Sequence, residues 1–212
     1  MEIKRDLLLK RLIDLRHNGM IKVVTGMRRC GKSYLLFNLF TDALKAKGVD
    51  EENIVQINLE DRRNKSLRDP DKLLAYIDSR LKDNKMYYIL LDEVQLVNEF
   101  EDVLNSYLQV KNADVYVTGS NARFLSKDVI TEFRGRGLEI RVHPLSFSEI
   151  RGARPDEPIE QLWIEYITYG GLPQVITMNS DQEKVDYLKG LFKHTYLKDI
   201  KERYDIKLDG DL

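Results

Sequence analysis

The chain predicts an α/β fold built on a parallel sheet, and three observations point there. Short β-branched runs alternate along the sequence with segments of helical period, as in strand–helix–strand units. One run, Tyr87-Tyr88-Ile89-Leu90-Leu91, is apolar without alternation up to Asp92, which suits a strand buried on both faces of a parallel sheet. Between the first strand and the first helix lies Gly26-Met27-Arg28-Arg29-Cys30-Gly31-Lys32-Ser33, a G-x-x-x-x-G-K-S stretch. Its glycines let the backbone turn tightly enough to aim successive N–H groups at a phosphate.

At 212 residues the chain is one large domain or a domain with an accessory piece, and 42% hydrophobic residues supply a core. Lys+Arg at 34 nearly cancel Asp+Glu at 35, so no global field draws the chain to nucleic acid or an anionic membrane. The single cysteine, Cys30, excludes an internal disulfide. The sequence carries no apolar leader or long apolar run, so a cytoplasmic location without membrane contact is expected.

Residues 5–18 place Leu7, Leu8, Leu12 and Leu15 at helical spacing, with Gly19 as a stop. A docking helix is expected over residues 1–19, its Lys4, Arg5, Lys10, Arg11 and Arg16 in solvent. Met20 to Thr25 reads as the first strand and residues 32–47 as the first helix. In the loop between them Lys32 offers a charge to the β- and γ-phosphates, and the Ser33 hydroxyl can ligate Mg²⁺. The helix adds its positive end. Gly26 to Ser33, with Tyr34 on the first turn, are therefore candidate nucleotide-binding residues. Cys30 is expected to fill a small space between strand and helix.

Asn53 to Leu59 alternates as a second strand and ends in Glu60-Asp61. Asp69-Pro70 then opens a helix, an N-cap followed by proline at the first helical position. The third strand delivers two adjacent carboxylates, Asp92 and Glu93, to the edge where ligands sit in open α/β sheets. Asp92 is the candidate Mg²⁺ ligand beside Ser33, and Glu93 the candidate group that polarises the attacking water. Such a pair favours hydrolysis over a small-molecule kinase, which needs an acceptor pocket and no water-activating base. Glu60, also at a strand end, is the rival to Glu93.

Phe100 to Leu108 reads as a helix and Asp114 to Thr118 as the fourth strand. At its tip Ser120 or Asn121 can sense the γ-phosphate, cap the following helix, or do both. That helix is expected over residues 122–133, followed by Arg134-Gly135-Arg136-Gly137 and a fifth strand at 138–142. Arg136 is either a phosphate contact, on this subunit or its neighbour, or a solvated turn residue. Ser146 and Glu149 have the spacing of a capping box, and a shift to Pro, Gly and charge at 152–158 marks the expected domain boundary. Beyond it, residues 159–169 and 181–204 show helical patterns separated by Gly170-Gly171-Leu172-Pro173. The organisation expected is a core over 20–151 and part of a helical lid over 152–212. Two aromatic-rich stripes there need more chain or a partner, so a longer protein is expected.

With those residues assembled, the chain resembles the AAA+ ATPases of bacteria and archaea whose phosphate loop reads G-x-R-R-x-G-K-S. The shared motifs are that loop, Leu90-Leu91-Asp92-Glu93-Val94-Gln95, Thr118-Gly119-Ser120-Asn121, Gly135-Arg136, Pro144-Leu145-Ser146-Phe147-Ser148-Glu149 and Gly170-Gly171-Leu172-Pro173. The resemblance implies a three-layer P-loop NTPase with a parallel sheet of order 5-1-4-3-2 and a helical lid. It also implies ATP and Mg²⁺ as cofactors, and a downstream region, often winged-helix-like, that could reach DNA or a protein partner. Arg136 falls where relatives often present an arginine finger to a neighbouring subunit of a homo-oligomer. Pro173 falls in a G-x-P turn that lies near the adenine in signalling relatives, and which otherwise reads as a helix-stopping turn. The lid shows no convincing sensor arginine, which argues against a processive motor. The expected function is Mg²⁺-dependent binding and hydrolysis of ATP, with a slow nucleotide-gated switch as the alternative.

Overall fold

The structure, a computed structural model, describes residues 3–119, 133 and 135–197. Five strands, β1 (Ile21–Thr25), β2 (Ile54–Asn58), β3 (Tyr87–Asp92), β4 (Ala113–Thr118) and β5 (Gly137–Arg141), form one sheet in the order β2-β3-β4-β1-β5. Read from the other edge this is 5-1-4-3-2, the order that the resemblance implies. Every pairing is parallel, with Val24 opposite Thr118 and Asn58 opposite Asp92. The carboxyl ends of all the strands therefore lie along one edge. β5 begins at Gly137, one residue ahead of the expectation, because Gly137 pairs with Ile21.

The two-residue period of the strands sorts their side chains into two cores, one on each face of the sheet. Ile21, Val23, Ile89 and Leu91 face a cluster completed by Leu73 and Ile77 of α3 (Pro70–Arg80) and by Phe100, Val103, Leu104 and Tyr107 of α4 (Phe100–Tyr107). Val24, Tyr88, Leu90 and Tyr116 face the other, completed by Leu12 of α1 (Asp6–Asp14) and by Leu35, Leu36, Leu39 and Phe40 of α2 (residues 32–46). Three layers result. α2 passes from α-helical Lys32–Tyr34 through π-helical Leu35–Phe40 to α-helical Thr41–Ala46. Asp69 caps α3 as expected, accepting from the Lys72 N–H, with Pro70 at the first helical position.

α1 is shorter than the sequence pattern, since His17 and Gly19 adopt left-handed conformations at φ 58° and 70° and turn the chain. The expectation that its flanking basic residues sit in solvent fails at Arg5, which is 6% exposed. Three acceptors converge there from distant parts of the chain, enough to hold a guanidinium out of water.

After β5, Ser146 and Glu149 form the predicted capping box of α5 (Phe147–Ala153). α6 (Ile159–Tyr169) and the short α7 (Pro173–Ile176) follow, then α8 (Asp181–Leu191), which continues as a π-helical Phe192–Tyr196. Leu145, Ile150 and Ile176 share a small core with Ile3 and Tyr166, so α5 packs with the helices that follow it. The Leu145 N–H donates to the Gly171 carbonyl at 2.7 Å, and a Cβ on Gly171 would lie 2.0 Å from the Leu145 oxygen. That close approach explains the glycine of the Gly171-Leu172-Pro173 turn. The helix expected over 122–133, apart from Phe133, and the pattern beyond 197 lie outside the described residues. Among the described residues no helix is long and apolar enough to cross a membrane.

Candidate functional site

The loop after β1 closes tightly against the end of β5. Gly26 has φ 146°, and a Cβ there would lie 2.2 Å from the Val142 carbonyl oxygen, so no larger residue fits. Gly31 at φ 97° opens α2, and Arg29 takes a left-handed φ of 66° between them. The Lys32 ammonium folds back on its own loop, donating to the carbonyls of Gly26 at 2.9 Å and Met27 at 3.0 Å. Cys30 is fully buried, its Sγ 3.4 Å from the Val142 oxygen, and burial pushes its thiol pKa up. It fills space beneath the loop; a reactive thiolate needs the opposite environment.

The parallel register carries two further strand ends, those of β3 and β4, to this loop. The Ser33 hydroxyl donates to Asp92 Oδ1 at 2.8 Å, and the Thr118 hydroxyl donates to the same oxygen. Asp92 is 2% exposed, and this burial raises its pKa against the pull of the two hydroxyl donors. Glu93 takes φ 56°, so the chain swings out of the strand and turns the second carboxylate to a different face. Its N–H donates to Thr118 Oγ1 at 3.1 Å, and its carboxylate accepts from the Gln95 amide. Thr118 escaped the sequence reading, which looked to Ser120 and Asn121 just beyond it. A hydroxyl ending the strand next to the Asp92 strand was the available signal. Ser120 and Asn121 lie outside the described residues.

An open cleft of about 810 Å³ lies over these groups, bordered by Arg28, Arg29, Gly31 to Tyr34, Glu60, Arg68, Glu93 and Gln95. Glu60 thus shares the cleft with Glu93; its carbonyl, like that of Leu59, accepts from the Arg68 guanidinium. The helices after β5 form the far wall through Pro173, Gln174, Tyr187 and Thr195. Pro173 stands 3.6 Å from the position a Cβ on Gly31 would take, so this turn rests on the phosphate loop. Arg29 reaches the same wall, with its guanidinium 5.6 Å from the Tyr187 ring centre and a 3.4 Å bond to the Tyr187 hydroxyl.

Arg136 is elsewhere. Its carbonyl accepts from Ile21 N–H at 2.9 Å, at the amino edge of the sheet. The length of β1, five residues at about 3.3 Å each, separates it from the loop. Arg136 borders a separate recess with Asp102, Asn105, Gln109 and Phe133. Of the candidates in the described residues, Lys32, Ser33, Asp92, Glu93, the loop and Pro173 come together, and Arg136 does not.

A family model described as an AAA domain matches residues 18–151. An uncharacterized protein of Haemophilus influenzae is 34% identical over 210 residues, covering 97% of this chain and 52% of the relative. The uncharacterized protein MJ1544 of Methanocaldococcus jannaschii is 29% identical over 200 residues, covering 88% and 43% respectively. The chain spans about half the length of these relatives. Among solved structures, a DNA polymerase III gamma subunit-related protein from Thermotoga maritima superposes with a TM-score of 0.52 at 13% identity, over 89% of this chain and 62% of that one. That likeness is one of fold alone.

Proposed function

Because the chain belongs to the AAA domain family, we propose that it binds ATP with Mg²⁺ in this cleft and hydrolyses it. The observation that carries the reading is the 2.8 Å bond between Ser33 and Asp92, which joins the phosphate loop to the carboxylate strand. A hydroxyl and a buried carboxylate are hard oxygen donors and suit Mg²⁺. When bound there, Mg²⁺ would neutralise charge on the β- and γ-phosphates. Lys32 would exchange its two loop carbonyls for phosphate oxygens, while the N–H groups from Gly26 to Tyr34 surround the rest. Glu93 would turn its carboxylate from Gln95 to the attacking water. Thr118, with Ser120 or Asn121 beyond it, would register the γ-phosphate, and Pro173 would border the adenine. Arg136, at the far edge of the sheet, would serve as an arginine finger for a neighbouring copy. In this reading residues 20–151 are the catalytic core, 1–19 a docking helix and 152–212 part of a lid, with DNA or a protein engaged through a further region.

Steady-state ATP hydrolysis tests the proposal. Glu93→Gln should retain nucleotide binding and lose about 10²–10⁴ in turnover, the usual worth of a positioned base. Glu60→Gln should hydrolyse nearly as the parent does. Turnover should need no acceptor other than water. A nucleotide-free parent that neither binds nor hydrolyses ATP with Mg²⁺ overturns the reading. The Gln95 amide on Glu93 favours a second form of it, a slow nucleotide-gated switch whose base is held back. In that case Gln95→Ala speeds turnover.

A further inference from the structure

We propose that Arg5 is a positioning residue for the phosphate loop, acting from behind it through the Cys30 carbonyl. The inference rests on the nucleotide-binding reading above and assigns a role within that site. Arg5 lies just ahead of α1 and is 6% exposed. Its Nη1 donates to the Cys30 carbonyl at 3.1 Å, its Nη2 to the His143 carbonyl at 2.9 Å and its Nε to Glu149 Oε1 at 3.1 Å. One rigid, planar fork thus ties three separate segments: the phosphate loop, the chain leaving β5 and the first turn of α5. Glu149 is itself fixed, since its other oxygen accepts from the Ser146 N–H at 2.7 Å. A buried guanidinium needs such a countercharge, and a neutral partner would leave it costly.

The consequence follows from peptide geometry. In a trans peptide the carbonyl and the next N–H point in opposite directions. With the Cys30 oxygen drawn back to Arg5, the Gly31 N–H is turned the other way, to the cleft that Gly31 borders. That N–H is among those a phosphate must meet. Gly31 can hold the arrangement because its φ of 97° carries no steric penalty in glycine. Cys30 adds no side-chain competition, being packed beneath the loop.

Arg5→Met keeps length and apolar volume while removing all the donors. Binding of ADP should be measured by calorimetry on nucleotide-free protein, at a temperature where circular dichroism shows each variant fully folded. The expected result is about tenfold weaker ADP binding, the scale of one misaligned charge-assisted hydrogen bond. Arg5→Lys, which keeps one donor for the Cys30 carbonyl, should recover part of the loss. If Arg5→Met binds ADP as tightly as the parent, or folds less stably with affinity intact, the residue merely fastens the N-terminal segment and the proposal falls. Should Arg5→Met fail to fold, Glu149→Gln decides, because it loosens the fork while leaving Arg5 in place; weaker ADP binding supports positioning and unchanged binding overturns it. A parent protein that does not bind ADP instead defeats the nucleotide reading itself, so the two failures are separable.

Discussion

Two buried lysines, ten residues apart, show how differently one fold uses a charge. Lys22, on β1, is 0% exposed, and Lys32, opening α2, is 4% exposed. The Lys22 ammonium pairs with the Asp114 carboxylate on the neighbouring strand, beneath the face of the Tyr116 ring. Asp114 also accepts from the Tyr116 hydroxyl at 3.0 Å and the His17 N–H at 3.1 Å. This network is closed, and burial depresses the Lys22 pKa against the pull of Asp114. Lys32 instead donates to two neutral carbonyls of its own loop and borders an open cleft. A permanent countercharge makes a buried lysine part of the scaffold. Neutral, exchangeable partners leave the other lysine able to gain from an arriving anion.

The largest expected effect comes from breaking the closed pair. Lys22→Met strands Asp114 as a buried, uncompensated charge and should destabilise the protein by about 3–5 kcal/mol in urea titration. Replacing both, as Lys22→Met with Asp114→Asn, removes the charge but keeps an acceptor for the Tyr116 hydroxyl and the His17 N–H, and should recover part of that loss. ADP affinity of the folded single variant should match the parent. Lys32→Ala should do the reverse. Its stability without nucleotide should change little, while the ligand-dependent gain should vanish, about 2.7 kcal/mol at a hundredfold excess over Kd. Thermal melts with and without ATP and Mg²⁺, on nucleotide-free protein, measure both halves. If Lys32→Ala proved the unstable variant and Lys22→Met the one that fails to bind, the assignment of the two lysines would be inverted.

The contrast also explains which features were legible in the sequence. Those encoded locally could be read: the glycine-framed loop, the Asp69-Pro70 helix start, the Ser146 and Glu149 capping box and the apolar β3. Lys22 carries no local sign of its burial, which depends on Asp114, 92 positions away and brought to it only through β1–β4 pairing. Thr118 was missed for the same reason: its partner Asp92 is on another strand and 26 positions distant. Arg5 is the extreme case, with partners 25, 138 and 144 positions away. A basic residue beside an amphipathic helix gives no local sign of such a pocket. The distance of Arg136 from the loop follows from parallel register, which spacing along the chain does not encode.

The smallest expected effect sharpens the comparison on the acidic side, between Asp114 and Asp92. Both are buried, at 3% and 2% exposure. Asp114 faces an ammonium, whereas the described bonds to Asp92 come from the neutral hydroxyls of Ser33 and Thr118. Burial is the leading influence on Asp92 and raises its pKa, so the folded protein holds that proton more firmly than the unfolded chain. The sign follows: the associated stability is fully present below the unfolded carboxyl pKa and is lost as pH rises through the folded one. Above the ordinary carboxylate range the protein without Mg²⁺ therefore carries the cost that burial places on the charged form of Asp92. Asp92→Asn should raise the melting midpoint of nucleotide-free protein at pH 7, and the gain should shrink as pH falls through the carboxylate range. The same substitution should abolish the further rise produced by ATP with Mg²⁺, because the amide has lost the charge that the metal needs. Stability and function would then oppose each other at one residue, as they commonly do in binding sites. A lower midpoint for Asp92→Asn at every pH would mean that its hydroxyl bonds outweigh its burial, making Asp92 a scaffold carboxylate of the Asp114 kind.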